Sequence, residues 1–228
     1  VGPGPLSPDE PAEPAAPARR PLTFRRLSGL DRSGPPPPET QAGAPLNVWT
    51  IPNAIGLFRL ALIPVFLVVA FSSEDGSGLW PALLFAVISW GDYADGIAAR
   101  VTGQYSRFGA MLDPVSDRLL VASGVVVCWW GELLPRWALA ILIARELLML
   151  ALGPWYLKRG LELKINWPGR AGVWPVMTAL FFGLCGLHTL GAVLLYVGLV
   201  LVIWATVLYA RDAIAQLRER KDPPTPSS

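Results

Sequence analysis

Six apolar runs in succession constrain this chain more than any other feature. From Asn47 onward they fall at about 50–71, 79–100, 110–130, 136–157, 171–188 and 191–211. A helix needs about 20 mostly apolar residues to cross a bilayer, so each run is long enough for one span. Inside lipid every backbone N–H and C=O must be paired within the protein, and an isolated run achieves this as a helix. Composition points the same way. Of 228 residues, 53% are hydrophobic and only 16% charged, against about 25% charged in an ordinary soluble domain. The expected fold is all-α and integral to the membrane. Six transmembrane helices fill a domain at 47–212, between a leader at 1–46 and a tail at 213–228.

The connections set the orientation. The leader is rich in Pro, Ala, Arg and Gly, with a polyproline run from Pro35 to Pro38 and no sustained apolar period. Such a segment buries too little apolar area to offset its ordering entropy, so it reads as disordered. Its Arg19, Arg20, Arg25 and Arg26 either face anionic lipid or belong to a solvated tail without a task. No apolar h-region follows the arginines as a signal peptide requires. Past the leader, the 72–78 connection is acidic. Positive residues gather at Arg100 and Arg107, at Lys158, Arg159, Lys164 and Arg170, and at Arg211, Arg218, Arg220 and Lys221. Every second connection is thus basic, which places both termini in the cytoplasm of a multi-pass cell-membrane protein. Trp49, Trp80, Trp129, Trp130 and Trp167 lie near span ends, where aromatic belts form.

Several function classes drop out. The net charge is +2 and no dense basic surface is present, so nucleic acid is not an expected partner. Cys128 and Cys185 sit in apolar runs and read as packing residues rather than a disulfide framework. A single histidine, His188, disfavours triad hydrolases and His-rich zinc sites.

Against this background the segment 91–118 is anomalous, because Asp92, Asp95, Asp113 and Asp117 lie within or beside the second and third runs. One aspartate near a span centre costs about 2.5–3.5 kcal/mol on insertion scales, so four cost roughly 10–14. Asp92 and Asp95 are spaced i, i+3 and Asp113 and Asp117 i, i+4, so each pair shares a helix face. A short turn joins the two helices, so the pairs lie near one cytoplasmic end and can face each other. Four carboxylates without His or Cys form a hard oxygen site, suited to Mg2+ or Mn2+ rather than zinc. Two such ions would neutralise the four charges and clamp an in-line displacement at phosphorus. Gly96 and Ala99 leave the helix slim enough for a phosphate to approach, as do Gly109 and the Thr102–Ser106 turn. A cation-coupled transporter also places Asp in membranes, but usually in broken helices of repeated halves. Here the acids are confined to one hairpin, which favours an enzyme.

The pattern Asp92-x-x-Asp95-Gly96-x-x-Ala99-Arg100, eight residues, then Gly109-x-x-x-Asp113-x-x-x-Asp117 resembles the complete signature of the CDP-alcohol phosphotransferases. The likeness extends upstream to Thr50-Ile51-Pro52-Asn53 and Arg59 and covers about 47–212. It implies a homodimeric membrane enzyme that displaces CMP from a CDP-linked lipid with an alcohol. By this resemblance Asp92 and Asp113 would touch both metals, Asp95 one and Asp117 the other. Asp117 would also take the proton of the attacking hydroxyl. The resemblance assigns the CDP portion to Ile51, Pro52, Asn53, Ala54, Gly96, Ala99, Arg100, Ser106 and Gly109.

For the acceptor the candidates are Arg118, Arg145 and Arg170, three guanidinium groups suited to an alcohol that itself carries phosphate. Arg145 stands beside Glu146, so a structural ion pair is an equal reading there. Leu112-Asp113-Pro114-x-x-Asp117, the Ile-Pro-Asn start and Arg145-Glu146 look most like phosphatidylglycerophosphate synthases and CDP-alcohol-type cardiolipin synthases. Arg118 and Arg170 stand where the first group usually has Lys, which keeps the charge but not the geometry. The expected reaction transfers the phosphatidyl group of CDP-diacylglycerol to glycerol 3-phosphate and releases CMP. Phosphatidylglycerol is the alternative acceptor.

Overall fold

The computed structural model describes residues 46–158 and 167–221, with no side-chain account at 153–158 and 167–171 and at several positions beyond 212. The leader, most of the 158–170 connection and the last residues of the tail lie outside the described residues. So do the expectations made for them. Among the described residues there are six helices and no strands: α1 (Ile51–Phe71), α2 (Leu79–Thr102), α3 (Arg107–Trp130), α4 (Arg136–Lys158), α5 (Trp167–Leu184) and α6 (His188–Lys221). Among the described residues three segments, Ile51–Phe71, Leu79–Thr102 and His188–Asp212, are long and apolar enough to cross a membrane. Helix α3 interrupts its apolar run with Asp113, Asp117 and Arg118, the first two being the residues that made it anomalous in sequence.

Local chemistry sets the boundaries. Thr50 caps α1 in an extended conformation, its Oγ1 accepting from the Asn53 N–H at 3.3 Å. Pro52 sits in the first turn, where its missing N–H costs nothing. Ser106 caps α3 in the same way, accepting from the Gly109 N–H at 3.0 Å. The α2–α3 turn passes through Gly103 at φ 66°, a left-handed conformation that glycine adopts without a Cβ penalty. Because Ser106 caps it, α3 begins at Arg107, before its apolar run does.

Two expected boundaries move. The break expected at 189–190 falls instead at 185–187, where Gly186 turns the chain at φ 77° and α6 begins at His188. Helix α6 also runs on to Lys221, into the segment expected to be a separate tail. Its last turns are built from Ala, Gln, Leu, Arg, Glu and Lys, good helix formers that carry a helix beyond its apolar part.

Helix α1 packs between α2 and α3, α5 and α6 pair along their lengths, and α4 lies against α6 and α3. The core joins these groups through Phe66, Phe85, Leu120, Leu180, Leu184 and Leu195, all buried, with the rings of Phe66 and Phe85 5.7 Å apart. Outward-facing Trp80, Trp90, Trp137, Trp174 and Val200 are exposed, as suits a bundle whose solvent is lipid. One end of the bundle holds the start of α1 and the α2–α3 turn, tied by the Ile51 N–H to Gln104 Oε1 at 3.0 Å. The opposite end holds the 72–78 loop and the α5–α6 turn, tied by the Gly78 N–H to the Leu184 carbonyl at 2.8 Å.

Candidate active site

The four aspartates of the sequence pattern converge at the first of these ends. Asp92 and Asp95 come from the second half of α2, Asp113 and Asp117 from the first half of α3. Asp95 is buried at 6% exposure, Asp113 half-buried, and the Asp92 and Asp117 side chains about half open at 48% and 47%. Asp113 lies within electrostatic range of Asp92, Asp95 and Asp117.

A residue to which the sequence assigned no role holds this cluster. Arg59 of α1 is 2% exposed and reaches across to both helices. Its Nη1 donates to Asp95 Oδ2 at 2.9 Å and Asp92 Oδ1 at 3.3 Å; its Nη2 donates to Asp117 Oδ1 at 3.0 Å. Nε donates to the Ile88 carbonyl at 3.0 Å. A signal for it was present: an arginine in the middle of an apolar span is as costly as an aspartate there, and demands a partner.

Beside the cluster lies a polar platform at the start of α1. The buried Asn53 amide donates to the Asn47 and Val48 carbonyls at 2.9 Å each, and its Oδ1 accepts from Ser106 Oγ at 2.8 Å. The Asn53 amide therefore ties the residues before α1 to the cap of α3. Ile51 and Ala54 are exposed nearby and Pro52 half-buried. On α2, Gly96, Ala99 and Arg100 are half-buried, and the Arg100 guanidinium lies over Gly96, where a Cβ would stand 3.4 Å from Nη2. Arg100 Nε is buried without a hydrogen-bond partner among the described residues.

Two of the three acceptor candidates have side chains within the described set. Arg118 is exposed on α3. Arg145 pairs with Glu146 and donates from Nε to Thr206 Oγ1 of α6 at 3.4 Å, in line with the structural reading of that residue. Arg170 lies in the first turn of α5, and its side chain falls outside the described set.

Among the described residues no three acidic, His or Cys side chains close around a single point as a ligand set would. Arg59 is wedged among them instead. The donor chemistry still fits a hard divalent cation. Four carboxylates and one guanidinium leave a formal charge of −3, and Arg59 engages only one oxygen each of Asp92, Asp95 and Asp117. The open sides of Asp92 and Asp117 give a ligand access.

The cluster thus sits at one end of an apolar helical bundle, with a buried guanidinium nitrogen left unpaired among the described residues beside it. The sequence pattern of CDP-alcohol phosphatidyltransferases matches residues 49–204, and the chain belongs to this family. It is a transferase of phosphatidyl groups. It is 34% identical over 184 residues to the CDP-diacylglycerol–glycerol-3-phosphate 3-phosphatidyltransferase of Shigella flexneri serotype 5b (strain 8401), covering 75% of this chain and 99% of that one. The protein of the same name from Escherichia coli (strain K12) gives the same identity and coverage. The transporter alternative gives way to the enzyme.

Proposed function

We propose that this chain transfers the phosphatidyl group of CDP-diacylglycerol to glycerol 3-phosphate, giving phosphatidylglycerophosphate and CMP. The observation that carries the reading is the convergence of Asp92, Asp95, Asp113 and Asp117 beside the Asn53–Ser106 platform. The choice of acceptor is supported by relatives of that name, matched along 99% of their length.

In this reading a primary hydroxyl of the acceptor attacks the phosphorus of the phosphatidyl group. A new P–O bond forms, the bond to the bridging oxygen breaks, and CMP leaves with that oxygen. Asp117 receives the hydroxyl proton, a role suited to a carboxylate half open on the accessible side of the cluster. Ile51, Pro52, Asn53, Ala54, Gly96, Ala99, Arg100, Ser106 and Gly109 hold the CDP portion. The unpartnered Arg100 Nε supports this, because a buried donor left unpaired is costly and a diphosphate oxygen would satisfy it. Asp92, Asp95, Asp113 and Asp117 would hold two Mg2+ or Mn2+ ions per site. When bound, these supply charge neutralisation and a clamp on attacking and leaving oxygens. Arg118 and Arg170 are the acceptor's phosphate contacts, with Arg145 a weaker third because Glu146 and Thr206 already engage it.

All six helices cross the cell membrane, both termini are cytoplasmic, and the carboxylates open to the cytoplasm where CMP and glycerol 3-phosphate are soluble. The working unit is a homodimer.

The test is purified protein with CDP-diacylglycerol and Mg2+, offered glycerol 3-phosphate, phosphatidylglycerol or an inositol phosphate, with CMP and lipid product identified. CMP and phosphatidylglycerophosphate are expected with the first. CMP with phosphatidylglycerol alone would reassign the enzyme to cardiolipin synthesis. No CMP with any acceptor would sink the proposal.

A further inference from the structure

We infer that Arg59 is a fixed internal cation that assembles the carboxylate cluster before any divalent ion arrives, a positioning residue for the reaction. The inference rests on the reading that these aspartates bind metal. Its basis is the way the guanidinium is held. All three of its nitrogens are committed, to one backbone carbonyl and three carboxylates on two other helices. Only a planar fork can do this; an ammonium is a point charge and cannot span the same set.

The neighbouring backbone is shaped for it. A Cβ on Gly91 would lie 2.6 Å from Arg59 Cγ and Cδ, so the glycine leaves the channel through which the side chain crosses from α1 to α2. Gly91 is one residue before Asp92, and nothing in the metal reading requires a glycine there.

The energetic consequence is specific. Four carboxylates in an apolar bundle repel one another and resist burial, and removing one partner of a buried charge pair leaves the other uncompensated. With Arg59 in place, the metal-free site carries −3 rather than −4 and its helices keep their register. Metal binding then completes a site that already exists. Without Arg59, the divalent ions must supply the missing counter-charge, so metal becomes a folding requirement as well as a catalytic one.

The experiment is thermal unfolding of the purified full chain in detergent, in EDTA and in MgCl2, with no nucleotide lipid present. Wild type, Arg59→Gln, Arg59→Lys and Gly91→Ala are compared. Arg59→Gln is expected to unfold lower in EDTA and to gain roughly twice the Mg2+-induced shift of wild type, since the ion now offsets unpaired charge. Arg59→Lys restores charge without the fork and should fall between the two. Gly91→Ala alters no charge but displaces the guanidinium, so its Mg2+ shift should also exceed that of wild type, and it serves if Arg59→Gln does not fold. A lowering equal in EDTA and Mg2+ for every variant means that Arg59 only fills space, and overturns the inference while leaving the metal reading standing. No Mg2+ shift in any of the proteins overturns both.

Discussion

At the carboxylate end, a Cβ on Gly91 would lie 2.6 Å from the Arg59 stem, and one on Gly109 2.6 Å from Asn53 Oδ1. At the opposite end, a Cβ on Gly131 would lie 1.6 Å from the Asp75 carbonyl oxygen, and one on Gly191 3.0 Å from that of Ala179. Glycine therefore does different work at the two ends. Near the site it clears a path for a polar side chain; at the far end it lets two backbones meet. The first arrangement brings charge and hydrogen-bonding groups to a common place at a cost in stability. The second fixes the loops and the α5–α6 pair by close packing. Substitutions of Gly109 at one end and Gly131 at the other should accordingly separate activity from stability.

The largest effect belongs to Asp117→Asn. The amide retains an oxygen that can accept from Arg59 Nη2, so the fold and CDP-lipid binding should persist. The proton acceptor is gone, and kcat should fall by about 10²–10⁴. Single-turnover CMP release alongside CDP-lipid binding checks this; full retained activity would remove Asp117 as the base.

Gly131→Ala probes the other end. A methyl group cannot share space with the Asp75 carbonyl, so the 72–78 loop or the α3 terminus must move. Overpacking of this kind costs about 1–3 kcal/mol or more. The thermal midpoint should drop while kcat per folded molecule stays near wild type. An unchanged midpoint with lost activity would show that the two ends are not separable. Gly109→Ala should do the reverse on a smaller scale. Its Cβ meets Asn53 Oδ1 and Ser106 Oγ at 2.6 and 3.2 Å, side-chain atoms with some freedom to yield. The KM for CDP-diacylglycerol should rise roughly tenfold, about 1.4 kcal/mol, with little change in the midpoint.

The same contrast explains what was legible in the sequence. Apolar length located all six helices among the described residues, because a long apolar run pairs its backbone most readily within itself. The four aspartates stood out because each is costly where it lies. Arg59 is costly for the same reason, yet the counter-charge was sought in metal ions and not in the first helix. Its spacing on α1 says nothing about which face of α2 it meets. The end of α5 was misplaced because Gly186 and Gly191 both look like breakers; only packing distinguishes the turn at one from the close contact at the other. The reach of α6 to Lys221 was missed because hydropathy stops where the bilayer does, whereas helix propensity does not.

The smallest perturbation tests which end faces the cytoplasm. Cys185 is exposed in the α5–α6 turn at the far end, whereas Cys128 is buried, with Sγ 4.0 Å from the Leu180 carbonyl. A membrane-impermeant maleimide on intact cells should therefore label Cys185 and spare Cys128. Partial burial pushes the Cys185 thiol above its ordinary range. The thiolate fraction at neutral pH is thus low, and labelling should speed up as pH is raised. Gln104→Cys, at an exposed position in the α2–α3 turn beside the carboxylates, should react only after the membrane is opened. The reverse pattern would turn the bundle over and put Asp92 and Asp117 on the outer face, where a cytoplasmic phosphate ester could not reach them.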